Sequence, residues 1–141
     1  MDKLEQIFTR QQTFIHSIGR NPVLLNLYDE SGFLIRDGDE EKIKLILQRI
    51  DEYATAIMME GSELKDWTPW KHWSENAGNK AVTKNNMLSP DHIHQMRIEV
   101  ADILCFLINV SLWLGMTPDT LNEIHANKVL VNHNRQEGGS Y

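Results

Sequence analysis

Cysteine is nearly absent from this 141-residue chain: the one thiol, Cys105, excludes a disulfide framework and a cysteine metal knuckle by arithmetic. It sits in the apolar run Ile103-Leu104-Cys105-Phe106-Leu107, where a core thiol in a reducing cytosol is expected. Proline (4) and glycine (8) are sparse, which removes collagen-like and low-complexity classes and leaves room for long helices. Basic residues are the minority, 14 against 20 acidic ones, and are scattered rather than striped, so nucleic acid is not an expected partner. No segment approaches the roughly 18 uninterrupted apolar residues of a membrane span, and Met1-Asp2-Lys3-Leu4-Glu5 carries no signal core. A soluble, cytoplasmic protein with no membrane partner is the expectation, and the length fits one domain, 1–141.

What is present is helical periodicity. Leu4, Ile7, Phe8, Gln11, Phe14, Ile15 and Ile18 recur on one side of a helix over about residues 2–18, with Gly19 at its end. From Glu40 to Asp66 the positions Ile43, Leu47, Ile50, Ala54, Ile57, Gly61 and Leu64 alternate steps of four and three, as a bundle helix requires. Ser89-Pro90-Asp91 starts a third helix that runs to Leu114 before Gly115, and Thr117-Pro118-Asp119 starts a fourth reaching about Asn134. Residues 21–38 give no clear pattern. The polar stretch 74–88 lacks a period and reads as a mobile loop, and 136–141 as a flexible tail. Four helices with otherwise short connections imply an all-α, antiparallel four-helix bundle, completed by dimerisation.

Two acidic residues three apart share a helical face, about 60° from each other, and can share a divalent cation. The spacing occurs five times, where 20 acids in 141 residues give about three by chance, so context has to choose. Glu99/Asp102 lie among Ile98, Val100, Ala101, Ile103, Leu104, Phe106, Leu107, Ile108 and Val110, apolar on every side, which predicts a buried helix. Gln95, Glu99, Asp102 and Asn109 form a polar seam down it. Buried carboxylates without cations or donors would cost several kcal/mol, so the seam either bridges to a neighbouring helix or holds metal. Glu60/Glu63 flank the stripe of the second helix, as a solvated edge or as a second inward pair. Together the pairs offer four carboxylates and no His or Cys, a hard-oxygen set suited to magnesium or manganese, and so much charge implies two or more ions. Such ions neutralise phosphate oxygens and activate water, the chemistry of phosphoanhydride cleavage.

Lys128, Asn132 and Arg135 fall at steps of four and three on the last helix, a face that can grip phosphates or simply a solvated helix end. Trp67, Trp70 and Trp73 crowd the segment after the first acidic pair and can stack on a base or pack in a core or dimer. His92 and His94 are two apart near a helix start and point different ways, so no zinc site is expected. Gly138-Gly139 lacks the strand and helix of a phosphate loop.

The order Glu60-x-x-Glu63, Trp70-Lys-x-Trp73, Glu99-x-x-Asp102-x-x-x-Phe106, Lys128-x-x-x-Asn132-x-x-Arg135-Gln136 resembles the all-alpha nucleoside triphosphate pyrophosphatases, particularly the dimeric dUTPase branch and its phage dCTPase-dUTPase relatives. The match spans nearly the whole chain. The resemblance implies that Glu60, Glu63, Glu99 and Asp102 bind magnesium, one carboxylate also orienting or deprotonating the attacking water, and that Lys128, Asn132 and Arg135 hold phosphates and sugar. It implies a base slot of Gln12 (or Gln11), Phe106 and Trp70 or Trp73, with Asn109 of the seam added to the substrate-binding set. His16 stands where an amide is common, Cys105 where a histidine is frequent, and Val129 where an asparagine is frequent, all of which bear on base and sugar selectivity. The expected activity is magnesium-dependent conversion of a deoxynucleoside triphosphate, first dUTP, to its monophosphate and pyrophosphate by a homodimer or higher homo-oligomer. A dCTP-preferring or broad house-cleaning enzyme is the alternative within the class, and a non-catalytic helical dimer with a structural acidic seam the alternative outside it.

Overall fold

A computed structural model describes residues 2–22, 40–70 and 88–138. Among them are four helices and no strand: α1 (Lys3–Ser17), α2 (Glu40–Asp66), α3 (Pro90–Trp113) and α4 (Pro118–Glu137). The fold class is an all-α helical bundle, and no single helix among the described residues is long and apolar enough to cross a membrane. The 74–88 loop, except for Leu88 and Ser89 beside it, lies outside the described residues, as do Trp73, most of 21–38 and residues 139–141.

The helix ends follow local chemistry. Asp2 caps α1 through a reciprocal box: its carboxylate accepts from the Glu5 amide, and the Glu5 side chain accepts from the Asp2 amide, both at 2.8 Å. Gly19 stops the helix at φ +72, with the amides of Gly19 and Arg20 donating to the carbonyls of His16 and Ile15. The end of α3 repeats this closure: Gly115 has φ +71, and Gly115 and Met116 donate to Leu112 and Ser111. At the start of α3 the Ser89 hydroxyl accepts from the His92 amide, and at the start of α4 Thr117 accepts from the Thr120 amide ahead of Pro118. α4 runs through Gln136 and Glu137, farther than the expected Asn134.

The described chain forms two compact units, one of 1–46 with 111–141 and one of 47–110. The first buries Phe8, Ile15, Ile46 and Trp113, with α1 packed on α4. The second holds most of α2 and α3, joined at Tyr53–Phe106 and Trp67–His92, ring centroids 6.4 and 5.3 Å apart, and at Glu60, Glu99 and Asp102. A forward step of seven on α2 is matched by a backward step of seven on α3, so the helices run antiparallel in a heptad register.

Three expectations are corrected. On α2 the row Ile50, Ile57, Leu64 does turn inward and Gly61 is half-buried with it, but the companion row is Ile46, Tyr53, Glu60, Trp67 and not Leu47, Ala54: Tyr53 is buried while Ala54 is exposed and Leu47 is 61% exposed. Hydrophobicity alone favoured Leu47 and Ala54, yet an aromatic ring and a carboxylate occupy the facing positions, and Glu60 moves from the flank to the centre of the contact. On α3 the apolar residues do not bury it all round; Ile98, Val100, Leu104 and Leu107 are exposed, because packed neighbours cover the polar seam instead. Cys105 lies on that outer side and is exposed rather than in the core.

Candidate metal centre

The site is built on α2 and α3 within the second unit. Carboxylate oxygens of Glu60, Glu99 and Asp102 all lie within 4.8 Å of one another. Glu99 is buried and the other two are half-buried. Three carboxylates at this separation repel each other in a poorly solvated setting. Oε2 of Glu60 is sealed from solvent without a hydrogen-bond partner among the described residues.

The electrostatic result is concentrated on Glu60, whose carboxyl is pushed up to about 7. Burial is the largest cause, followed by a hydrogen bond shared with Glu99, the charge and hydrogen bond of Glu63, and the charge of Asp102. Glu63 is exposed and stands outside the close trio, but it acts on the same carboxyl. The Cys105 thiol is raised as well, by partial desolvation first and then by the Asp102 charge, although the residue itself is exposed.

A group of acids held this close, one of them carrying a sealed and unpartnered oxygen, fits a hard divalent cation: the donors are all oxygen, and a cation removes both the repulsion and the missing hydrogen bond. Two aromatic layers flank the acids, one heptad away on either side, about 10.5 Å along the helix axes. Tyr53 packs on Phe106 in one and Trp67 on His92 in the other.

The remaining sequence-derived residues are distributed as follows. Gln95, Asp102 and Phe106 are half-buried, and Asn109 is buried on the same seam of α3. At the end of α2 the Trp70 indole donates to Asp66 at 3.3 Å, and the Lys65 ammonium lies 4.6 Å over its ring. Gln12 and Gln11 are half-buried on α1; on α4 Lys128 and Arg135 are exposed and Asn132 is half-buried. Tyr53 was missed by sequence reasoning, and His92 was weighed only as a zinc ligand. Their signal was present as the seven-residue spacing to Glu60 and Glu99, hidden by a stronger aliphatic pattern one position away.

A protein-family model described as dUTPase matches residues 3–135. No curated protein and no solved structure matches the chain significantly.

Proposed function

The chain belongs to the dUTPase family, a nucleoside triphosphate pyrophosphatase in a family that generally uses magnesium and is generally oligomeric, and on that premise we propose that it hydrolyses dUTP to dUMP and pyrophosphate. The observation that carries this reading is the convergence of Glu60, Glu99 and Asp102 within 4.8 Å between two aromatic layers. Uracil is the first choice of base. A dCTP-preferring or broader enzyme is distinguished by the nucleotide panel below.

In this reading Glu60, Glu63, Glu99 and Asp102 hold two or more magnesium ions, with manganese as a substitute. Bound there, magnesium would neutralise phosphate oxygens and lower the pKa of nearby water. One of these carboxylates also orients or deprotonates the attacking water; without a cation the Glu60 carboxyl is pushed up to about 7, and a cation bound beside it would pull it down. The water's oxygen ends in a new P–O bond, the α–β anhydride bond breaks, and pyrophosphate leaves. Lys128, Asn132 and Arg135 grip phosphates and sugar, while Phe106, with Gln12, Asn109, Trp70 and Trp73, receives the base. The half-buried Phe106 ring, backed on one side by Tyr53, supports that role.

The working form in this reading is a homodimer or higher homo-oligomer of a single 1–141 domain in the cytoplasm. α4 has no buried residue and exposes Ile124, Val129, Leu130 and Val131, and α3 exposes Val100, Leu104 and Leu107; a second copy would cover apolar surface of this extent. The alternative, a non-catalytic dimer with a structural seam, predicts no magnesium effect on melting.

The decisive experiment measures pyrophosphate release from dUTP, dCTP, dTTP, dATP and dGTP separately, with and without magnesium. Magnesium-dependent release confined to dUTP is expected. Release from dCTP or from several nucleotides moves the assignment to those substrates, and no release from any of them sinks it.

A further inference from the structure

Tyr53 is buried to 6% exposure, yet its hydroxyl has no hydrogen-bond partner among the described residues. A buried, unsatisfied hydroxyl destabilises a fold relative to the same ring without it, so phenylalanine would serve packing better at this position. The ring meets Phe106 at 6.4 Å with the planes tilted 34°, neither stacked nor edge-on. Tyr53 occupies the same row of α2 as Glu60, one heptad away, and Phe106 the same row of α3 as Glu99. The aromatic pair is thus about 10.5 Å from the acidic layer along the helices, a separation that suits a base held while its phosphates reach the carboxylates.

We propose that Tyr53 is a specificity-determining residue of this site: its ring fixes the tilt at which Phe106 receives the base, and its hydroxyl supplies a hydrogen bond that the bound nucleotide completes, directly or through one water. The proposal rests on the assignment of Phe106 to the base slot and deepens it. The mismatch at Tyr53 is then a polar group held ready for substrate, and its cost to the empty protein is recovered on binding. The second aromatic layer differs in kind, since there a charged-capable imidazole, His92, faces an indole and no phenol is present.

The test is steady-state kinetics of Tyr53→Phe and Tyr53→Leu on dUTP and dCTP, with melting curves of each variant. Tyr53→Phe should melt no lower than the wild type, keep kcat within about twofold, and raise the KM for the preferred nucleotide about three- to tenfold, the worth of one neutral hydrogen bond. Its preference for that nucleotide over the other should fall by a similar factor. Tyr53→Leu, which also removes the ring behind Phe106, should raise KM further. An unchanged KM and preference in Tyr53→Phe overturns the proposal, as does a lowered melting point with equal losses on both nucleotides, the mark of a packing role. A wild-type protein that cleaves no nucleotide defeats the pyrophosphatase assignment and this proposal with it; an active wild type with an indifferent Tyr53→Phe defeats this proposal alone.

Discussion

α3 and α4 follow one another in the chain and are of similar length, 24 and 20 residues, but they reverse the usual relation of polarity to burial in opposite ways. α3 is strongly apolar and yet turns Glu99 and Asn109 inward while leaving Val100, Leu104 and Leu107 in solvent. α4 buries nothing, and Ile124, Val129, Leu130 and Val131 are exposed on it. A helix that buries a carboxylate and exposes leucines fits the proposed ligand on one side and the proposed protein contact on the other. A helix with exposed apolar residues and no buried one offers the surface that the proposed assembly would cover. The contrast separates chemistry from assembly, and each side of it can be broken independently.

The largest effect is expected on the inner side of α3. Glu99→Gln or Asp102→Asn should lower pyrophosphate release by more than about a hundredfold, since supporting groups outside a metal's ligand set already account for 10–100-fold. The helical circular dichroism should persist, and the stabilisation of the wild type by magnesium in thermal melts should vanish. Retained turnover in both variants would show that the seam is structural.

The outer side comes next. The double variant Val100→Glu, Leu104→Glu places charges on exposed positions and should leave the fold intact, but it should weaken self-association at least about a hundredfold, because burying unpaired charges costs several kcal/mol. Light scattering would then report a single chain at concentrations where the proposed assembly has the wild type as a dimer. An unchanged mass would move the interface away from this face.

A smaller effect sharpens the inner side. The folded Glu60 carboxyl lies at about 7, above its ordinary 4.5, so the folded state binds that proton more tightly than the unfolded one. The contribution is therefore fully present below about pH 4.5 and is lost as pH rises through 7. In chelator, the melting temperature of the wild type relative to Glu60→Gln should fall across that interval, and magnesium should flatten the fall at its upper end. A relative melting temperature that stays level between pH 4.5 and 7 would remove Glu60 from the coupled cluster.

Much of the fold was readable because it is written locally. Glu40 and Asp66 bound α2 where periodicity put them, and Asp2 with Glu5, Gly19, Gly115 and Thr117 mark ends by hydrogen bonds that neighbouring residues make. The Glu99/Asp102 pair stood out because charges amid apolar neighbours are costly, and the structure places both beside Glu60. What periodicity could not supply was the rotation of α2. Leu47 and Ala54 score as interior on hydrophobicity, but the face is chosen by what lies across from it, and there Phe106 takes Tyr53 and Glu99 takes Glu60. Cys105 misled for the same reason, since an apolar neighbourhood in sequence does not say which side of the helix is covered.

The heptad register between α2 and α3 also orders the way the chain can close. Joining Trp67 to His92 encloses 25 positions (67 to 92), Glu60 to Glu99 encloses 39, and Tyr53 to Phe106 encloses 53. Loop entropy rises by about 0.6 kcal/mol for each doubling of length, so closing the tryptophan–histidine layer first costs about 0.6 kcal/mol less than closing the tyrosine–phenylalanine layer first. The carboxylates, which repel one another, occupy the middle layer, so the closure with the shortest loop is one that brings no like charges together.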